Sequence, residues 1–354
     1  MVTGYTPAIH IGSPPLRVDE FNTLRQDKNP AFEQCEAKYF LALKDGKTAG
    51  RIAAIVNQKY IAVEKKRMGQ FGWFDFIDDL EVSGALLDAM ETFVREKGMD
   101  GIIGPQGFSD FDRIGMLVEG FEELATIAAL YNYAYYPRHV EAHGYVKDFD
   151  SLEFEMLVPK EIPPILEKVN NKIMKDNKYR IIHAKNAREL MNYVDDIGAL
   201  IDESHIDISL TSSQFRAYAK QYFNFLNPDF VKIIMDQNEK LCAFAVSIPS
   251  LSRAFQKCRG RLFPFGFLHL MKALRKNDTL DLYLVGVRPD LQSRGVNSLL
   301  MTEIIRGAMA HGMVRAEANP ERESNTKVQS QWKYFETRQH KRRRFYVKRL
   351  TPVT

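Results

Sequence analysis

Cysteine is scarce: Cys35, Cys242 and Cys258 are the three in a chain of 354 residues. An odd number with no C-x-x-C pair excludes a disulfide framework and a zinc knuckle, and it suits a reducing compartment. Charge of one sign is lacking as well, since 49 Lys and Arg stand against 45 Asp and Glu, a net +4. So small an excess over this length argues against a nucleic-acid partner unless basic residues cluster locally. No uninterrupted apolar run of about 18 residues occurs, and residues 1–16 lack the charged segment and apolar core of a leader. A soluble, cytoplasmic protein is expected. Gly (21) and Pro (15) are too few for a collagen-like or low-complexity chain, and 45% apolar with 27% charged residues is globular composition.

What the chain does have is repetition. Residues 38–43 and 50–56 alternate around Asp45-Gly46, a hairpin signal, and 230–235 and 241–248 repeat it around Asp236-Gln237-Asn238-Glu239. A strand and a helix follow each time, 70–76 with 82–97 and 281–287 with 296–311, and both helices stop at a glycine, Gly98 and Gly312. A short strand, a second helix and a closing strand complete each half, the closing strands at 151–157 and 343–347. An order met twice implies a duplicated α+β unit, two mixed β-sheets flanked by helices, rather than one large sheet. Pro159-Lys160-Glu161-Ile162-Pro163-Pro164 is the linker candidate, giving domains 1–158 and 165–354. A strand at 179–184 and helical periodicity at 186–203 and 212–225 supply the front of the second unit, which also carries an insertion at 251–276.

The segment richest in chemical meaning is 282–300. An apolar strand ends at Arg288-Pro289, a polar loop with one glycine follows, and a long helix begins there. Such a loop aims backbone N–H groups at one point by the positive end of a helix, which suits a pyrophosphate, and Arg288 and Arg294 could add charge. Here the chain resembles the GNAT acyltransferase superfamily, whose signature Gln/Arg-x-x-Gly-x-Gly/Ala reads Gln292-Ser293-Arg294-Gly295-Val296-Asn297. Asn297 departs from the usual small residue. Further on, Glu317-Ala318-Asn319 and the helix-opening Asn325 fit the same pattern. In the first half Gly104-Pro105, the 115–121 segment, Tyr135-Tyr136 and the 141–145 segment resemble a poorly characterised bacterial group of two-half GNAT proteins.

The resemblance implies a tandem GNAT-like fold whose second half binds acyl-CoA or acetyl-CoA, without a metal, and transfers the acyl group to a small-molecule or lipid-like amine. It also implies a bulged strand at 285–287, with Val285 and Val287 offering backbone groups to the thioester. Gln292, Ser293, Arg294, Gly295, Val296, Asn297, Ser298 and Asn325 would hold the CoA. The tyrosine that often protonates the leaving thiolate is replaced by Trp332, which leaves Tyr334 two residues on as the acid, and Glu317 as a base acting through water. The alternative is a catalytically silent CoA- or partner-binding scaffold with both halves degenerate. In the first half Asp78-Asp79-Leu80-Glu81 stands at the helix start, where three carboxylates repel a diphosphate, so no nucleotide is expected there.

Three other constellations carry weaker signals. His139 and His143 have the i, i+4 spacing of a helical metal pair, without an evident third ligand. The run from Arg338 to Arg349, interleaved with Phe345, Tyr346 and Val347, reads as a terminal strand with one charged face rather than a nucleic-acid surface. The 251–276 insertion holds seven basic residues, no acid and an apolar tract at 262–271. It reads as a lid over an acyl chain, a peripheral membrane contact, or a packed helical excursion.

Overall fold

The structure is a computed structural model that describes residues 12–109, 111–175, 178–204, 211–222 and 226–350. After α1 (Arg17–Thr23), the Asp45-Gly46 turn joins β1 (Cys35–Lys44) to β2 (Lys47–Asn57), its two residues at φ 52° and 71°. Paired left-handed residues match the twist of the strands they connect. Then come α2 (Gln58–Glu64), β3 (Met68–Phe76) and α3 (Leu80–Glu96), which buries Leu86, Leu87, Met90 and Val94 and is closed by Gly98 at φ 73°. β4 (Gly101–Gly104) lies parallel to β3, and β5 (Met116–Glu119), α4 (Tyr135–Ala142) and β6 (Val146–Leu157) end the first half. Phe71, Phe74 and Phe76 of the aromatic strand β3 are core, Phe76 stacking on Tyr136 at 4.2 Å.

The second half repeats this plan behind extra helices. α5 (Pro164–Met174), β7 (Tyr179–Ile182), α6 (Ala187–Leu190), α7 (Val194–Ser204) and α8 (Ser212–Tyr222) precede the hairpin of β8 (Val231–Asp236) and β9 (Leu241–Pro249). The insertion forms α9 (Ser252–Cys258) and α10 (Gly266–Arg275). β10 (Thr279–Val287), α11 (Val296–Ala310), β11 (Arg315–Ala318), β12 (Glu321–Arg322), α12 (Thr326–Gln329) and β13 (Thr337–Arg349) follow. The helix expected over 212–225 runs to 222; positions 223–225 lie outside the described residues.

The α+β class and the duplicated plan hold, but the two sheets expected from the sequence are one. Among the described residues thirteen strands join in a single sheet, ordered β1-β2-β3-β4-β13-β6-β11-β10-β9-β8-β7, with β5 on β13 and β12 on β6. The halves merge because their closing strands are exchanged. β13, from the end of the second half, lies antiparallel between β4 and β6 of the first, while β6 reaches β11 of the second through Glu155↔Glu317. The basic face of β13 is therefore central. Lys341 and Arg343 are fully buried, and Arg342 and Arg344 pair with Asp150 on the other side of the strand.

Candidate functional site

β10 and β11 are paired in parallel only from Thr279↔Arg315 to Leu282↔Ala318. Beyond that point β10 bulges against β9, between Leu282 and Leu284, and its other edge is left open. The bulge expected at 285–287 thus lies earlier, at Tyr283. The Arg288 N–H donates to the Cys242 carbonyl at 2.9 Å, so Gly286 and Leu284, in step with it, face β9. Val285 and Val287 accordingly turn their N–H and C=O groups toward the opening. A cleft of about 2030 Å³ begins there and continues past Asn319, whose Nδ2 donates to the Tyr283 carbonyl at 3.0 Å.

At the far end of β10 the chain makes a tight passage into α11. Ser293 and Gly295 sit at φ 62° and 87°, a left-handed geometry that glycine adopts without strain. Among the described residues the N–H groups of Ser293, Gly295, Val296 and Asn297 have no acceptor, whereas that of Ser298 is bonded to the Gly295 carbonyl at 2.8 Å. Unpaired donors at the positive end of a fifteen-residue helix favour an anion. Arg288 adds no charge to this point, because its guanidinium is held by Asp290 at 2.7 Å and Asp236 at 3.2 Å. Asn297 turns its amide to Gln331. α5 covers the loop from the outside, so that a Cβ on Gly295 would come within 2.6 Å of Ile173 Cδ1.

The cleft brings together Val285, Val287, Gln292, Ser293, Gly295, Asn297, Asn325 and Tyr334. Arg294, Val296, Ser298 and Glu317 do not line it: Arg294 is exposed, Val296 belongs to the core, and Ser298 Oγ is tied to the Leu166 carbonyl of α5 at 3.5 Å. Asn325 caps α12, accepting from the Val328 N–H at 3.4 Å. Trp332 is buried and donates its indole N–H to Glu321 at 3.1 Å. Glu321 lines the cleft, and burial lifts its carboxyl to about 7 against the pull of that bond. Sequence reasoning missed it, since one acid just after Asn319-Pro320 carries no spacing signal.

Glu317 instead joins a buried charged layer across the exchanged strands. Its carboxylate meets Lys341 Nζ at 2.6 Å and His340 Nε2 at 2.9 Å, and Lys341 Nζ also reaches Glu153 at 3.0 Å. Glu153, Glu317 and His340 have ligand atoms close enough for a metal, but the Lys341 ammonium already supplies the cation between the carboxylates. Burial would raise Glu153, yet Arg343 and Lys341 outweigh it and hold it at about 2. Asp281, on neighbouring β10, has no ion pair among the described residues, and burial together with Glu317 pushes it up to about 8. The folded chain therefore keeps a proton on Asp281 that an unfolded aspartate, near 3.8, has lost. Its contribution to stability falls as pH rises from about 4 to about 8. Asp281→Asn should flatten that decline in urea unfolding measured at several pH values; an unchanged slope would assign the decline elsewhere.

With this geometry in place, comparison with solved structures gives the fold. A tandem GNAT protein from the clavulanic acid biosynthesis pathway superposes with a TM-score of 0.55 over 97% of this chain and 90% of its own, at 10% identity. The fold is that of a tandem GNAT protein. A GCN5-related glucosamine N-acetyltransferase region within a fungal multi-domain GH3 β-N-acetylglucosaminidase also superposes with a TM-score of 0.55, over 94% of this chain and 35% of that one, at 14% identity. Among curated sequences, protein YghO of Escherichia coli K12 is 28% identical over 95% of this chain and 88% of its own length. The bacterial ceramide synthase of Caulobacter vibrioides is 24% identical over 79% and 74%. No family model matches the chain.

The two halves are not equivalent at their helix starts. In the first, Asp79 caps α3 by accepting from the Glu81 and Val82 N–H groups at 2.9 and 3.2 Å, so those donors are already used. Asp78 bonds His139 Nε2 at 2.8 Å, and His139 Nδ1 and His143 Nε2 both meet Ser83 Oγ, at 2.9 and 3.3 Å. His139 thus spends both its nitrogens, on Asp78 and on the buried Ser83, and His143 Nε2 meets the same serine, so the pair is engaged within the protein rather than on a metal. The 251–276 insertion also departs from one expectation. It leaves and rejoins the sheet at the Thr279 end of β10, opposite the α11 loop, and none of its residues lines the cleft, which removes the acyl lid.

Proposed function

We propose that this chain is an acyl-CoA-dependent N-acyltransferase whose second half holds the thioester while an amine attacks it directly. The observation that carries this reading is the meeting, along one cleft, of the unpaired N–H groups at the α11 start with the parting of β10 from β11. The diphosphate would rest on the N–H groups of Ser293, Gly295 and Asn297, and the pantetheine arm would run along the open edge of β10. The Val285 and Val287 N–H groups are the available donors for the thioester carbonyl. In the transfer the amine lone pair forms the C–N bond, the C–S bond breaks, the sulfur leaves as thiolate and the nitrogen loses one proton. Glu321, titrating near 7 in the cleft, suits that proton, and the Tyr334 phenol suits the thiolate. The name of the Caulobacter relative, a ceramide synthase, supports a lipid-like amine as acceptor, and a CoA donor supports a cytoplasmic site of action.

The test is titration calorimetry with acyl-CoAs of several chain lengths, joined to thiol release over a panel of amines. Binding with no turnover on any amine would favour a silent scaffold, and no binding would end the reading. Two variants divide the chemistry. Tyr334→Phe should lower kcat about a hundredfold with acyl-CoA affinity unchanged, and wild-type turnover would leave thiolate protonation to water. Glu321→Gln should remove the rise of kcat/KM with pH that Glu321 would impose near 7; a profile identical to the wild type would assign the base elsewhere.

A further inference from the structure

The insertion is a packed helical platform with one uncovered face. Its base is closed by the Ser250 N–H to the Thr279 carbonyl at 2.9 Å and by Asn277 Nδ2 to the Ser250 carbonyl at 2.8 Å. Phe255, Cys258 and Leu270 pack with Leu16 between α9 and α10, and the Gly260 carbonyl accepts from the Arg17 N–H at 2.9 Å. The Phe267 N–H bonds the Leu262 carbonyl at 2.8 Å, folding the 262–265 loop onto the start of α10. Leu270 points inward from α10. Phe267, Leu268 and Met271, at i, i+1 and i+4, point outward, and the loop adds Phe263 and Phe265, exposed to 79% and 70%. A single surface seldom leaves five large apolar side chains adjacent without a partner.

The charge carried by the insertion itself is of one sign. Arg253, Lys257, Arg259, Arg261, Lys272, Arg275 and Lys276 are all exposed, residues 251–276 contain no acid, and none of the seven is in an ion pair with a described residue. On α10 itself Lys272 and Arg275 continue the outward face one turn beyond Leu268 and Met271. We propose that this face docks on the surface of a bilayer that carries anionic lipid. The aromatic tip would enter the headgroup and acyl boundary while the surrounding cations meet lipid phosphates. A second copy of the chain fits poorly, because a two-fold contact through this face would bring Lys272 and Arg275 of each copy, four like charges, together beside the apolar centre. The proposal stands apart from the acyltransferase reading, since docking needs no turnover.

The experiment is co-sedimentation of the full chain with sucrose-loaded vesicles, either pure phosphatidylcholine or phosphatidylcholine with phosphatidylglycerol, across a salt series. Binding is expected to the phosphatidylglycerol vesicles and to weaken steeply with salt. Phe263→Ser combined with Phe265→Ser should weaken partition roughly a hundredfold, as two lost aromatic insertions imply. Lys272→Glu combined with Arg275→Glu should cost at least about tenfold and blunt the salt dependence. Circular dichroism confirms that each variant is folded, and the charge pair keeps the test alive if the aromatic pair does not fold. Absence of binding at low salt, or wild-type binding by both variants, would overturn the proposal. So would a chain whose only response to these substitutions is a change of oligomeric state in sedimentation velocity.

Discussion

Gly295→Glu should abolish measurable binding of CoA thioesters, a loss of roughly 10³-fold or about 4 kcal/mol. Two effects act together. The position has φ 87°, which a side chain strains to adopt, and its Cβ would meet Ile173 Cδ1 at 2.6 Å and Val169 Cγ1 at 3.2 Å on α5. The new carboxylate would also bring a negative charge close to the unpaired N–H groups of the α11 start, where it would repel a diphosphate. Since the contact with α5 could unsettle the fold, Asn297→Glu serves as the companion, placing an acid at the same donors from a side chain turned toward Gln331. Both variants are to be measured by titration calorimetry after a melting curve. Wild-type affinity in a folded Gly295→Glu protein would remove the α11 loop from the site.

Arg343→Met should lower stability by about 3–5 kcal/mol in denaturant unfolding, the usual consequence of taking one partner from a buried ion pair. Arg343 and Glu153 have no exposed side-chain surface, and their ion pair crosses from β13 to β6 beside the Lys341 contact. Removing the guanidinium leaves Glu153 with one cation where it had two. Because Glu153 is held at about 2, well below the ordinary 4.5, its contribution is present above pH 4.5 and is lost as pH falls toward 2. The difference between wild type and variant should therefore close in acid. Glu153→Gln combined with Arg343→Met should recover part of the loss, as no buried charge is then stranded. A deficit below about 1 kcal/mol at neutral pH would mean that the pair contributes no more than packing.

Much of this molecule is legible from local pattern. The Asp45-Gly46 hairpin, the helices closed at Gly98 and Gly312, the duplication and the polar turn into α11 all follow from short-range signals that the structure repeats. Pairing partners are a different matter. Nothing in the alternation of β13 says that it will lie beside Gly104, because hydrogen bonds between strands do not depend on side-chain type. The same gap hid the meaning of its basic residues. Lys341 and Arg343 look like an exposed charged face until Glu153 and Glu317, from two other strands, are brought opposite them. The site shows the same division: the α11 loop could be read from one stretch of chain, whereas Asp281 and Glu321 owe their raised values to burial, which a single sequence does not display.

The exchange of closing strands bears on how the chain emerges from the ribosome. β4 has only β3 beside it until β13 has been made, about 240 residues later in the chain, which at roughly 5–20 residues per second is a delay of some tens of seconds. During that interval the nascent first half carries an unpaired strand edge of the kind that recruits other chains. Autonomous folding of the first half is thereby traded for the single continuous sheet on which the two halves meet. Slowing translation past residue 157 should lengthen the exposure and raise aggregation of the nascent chain, whereas holdase chaperones that mask such edges should rescue the yield.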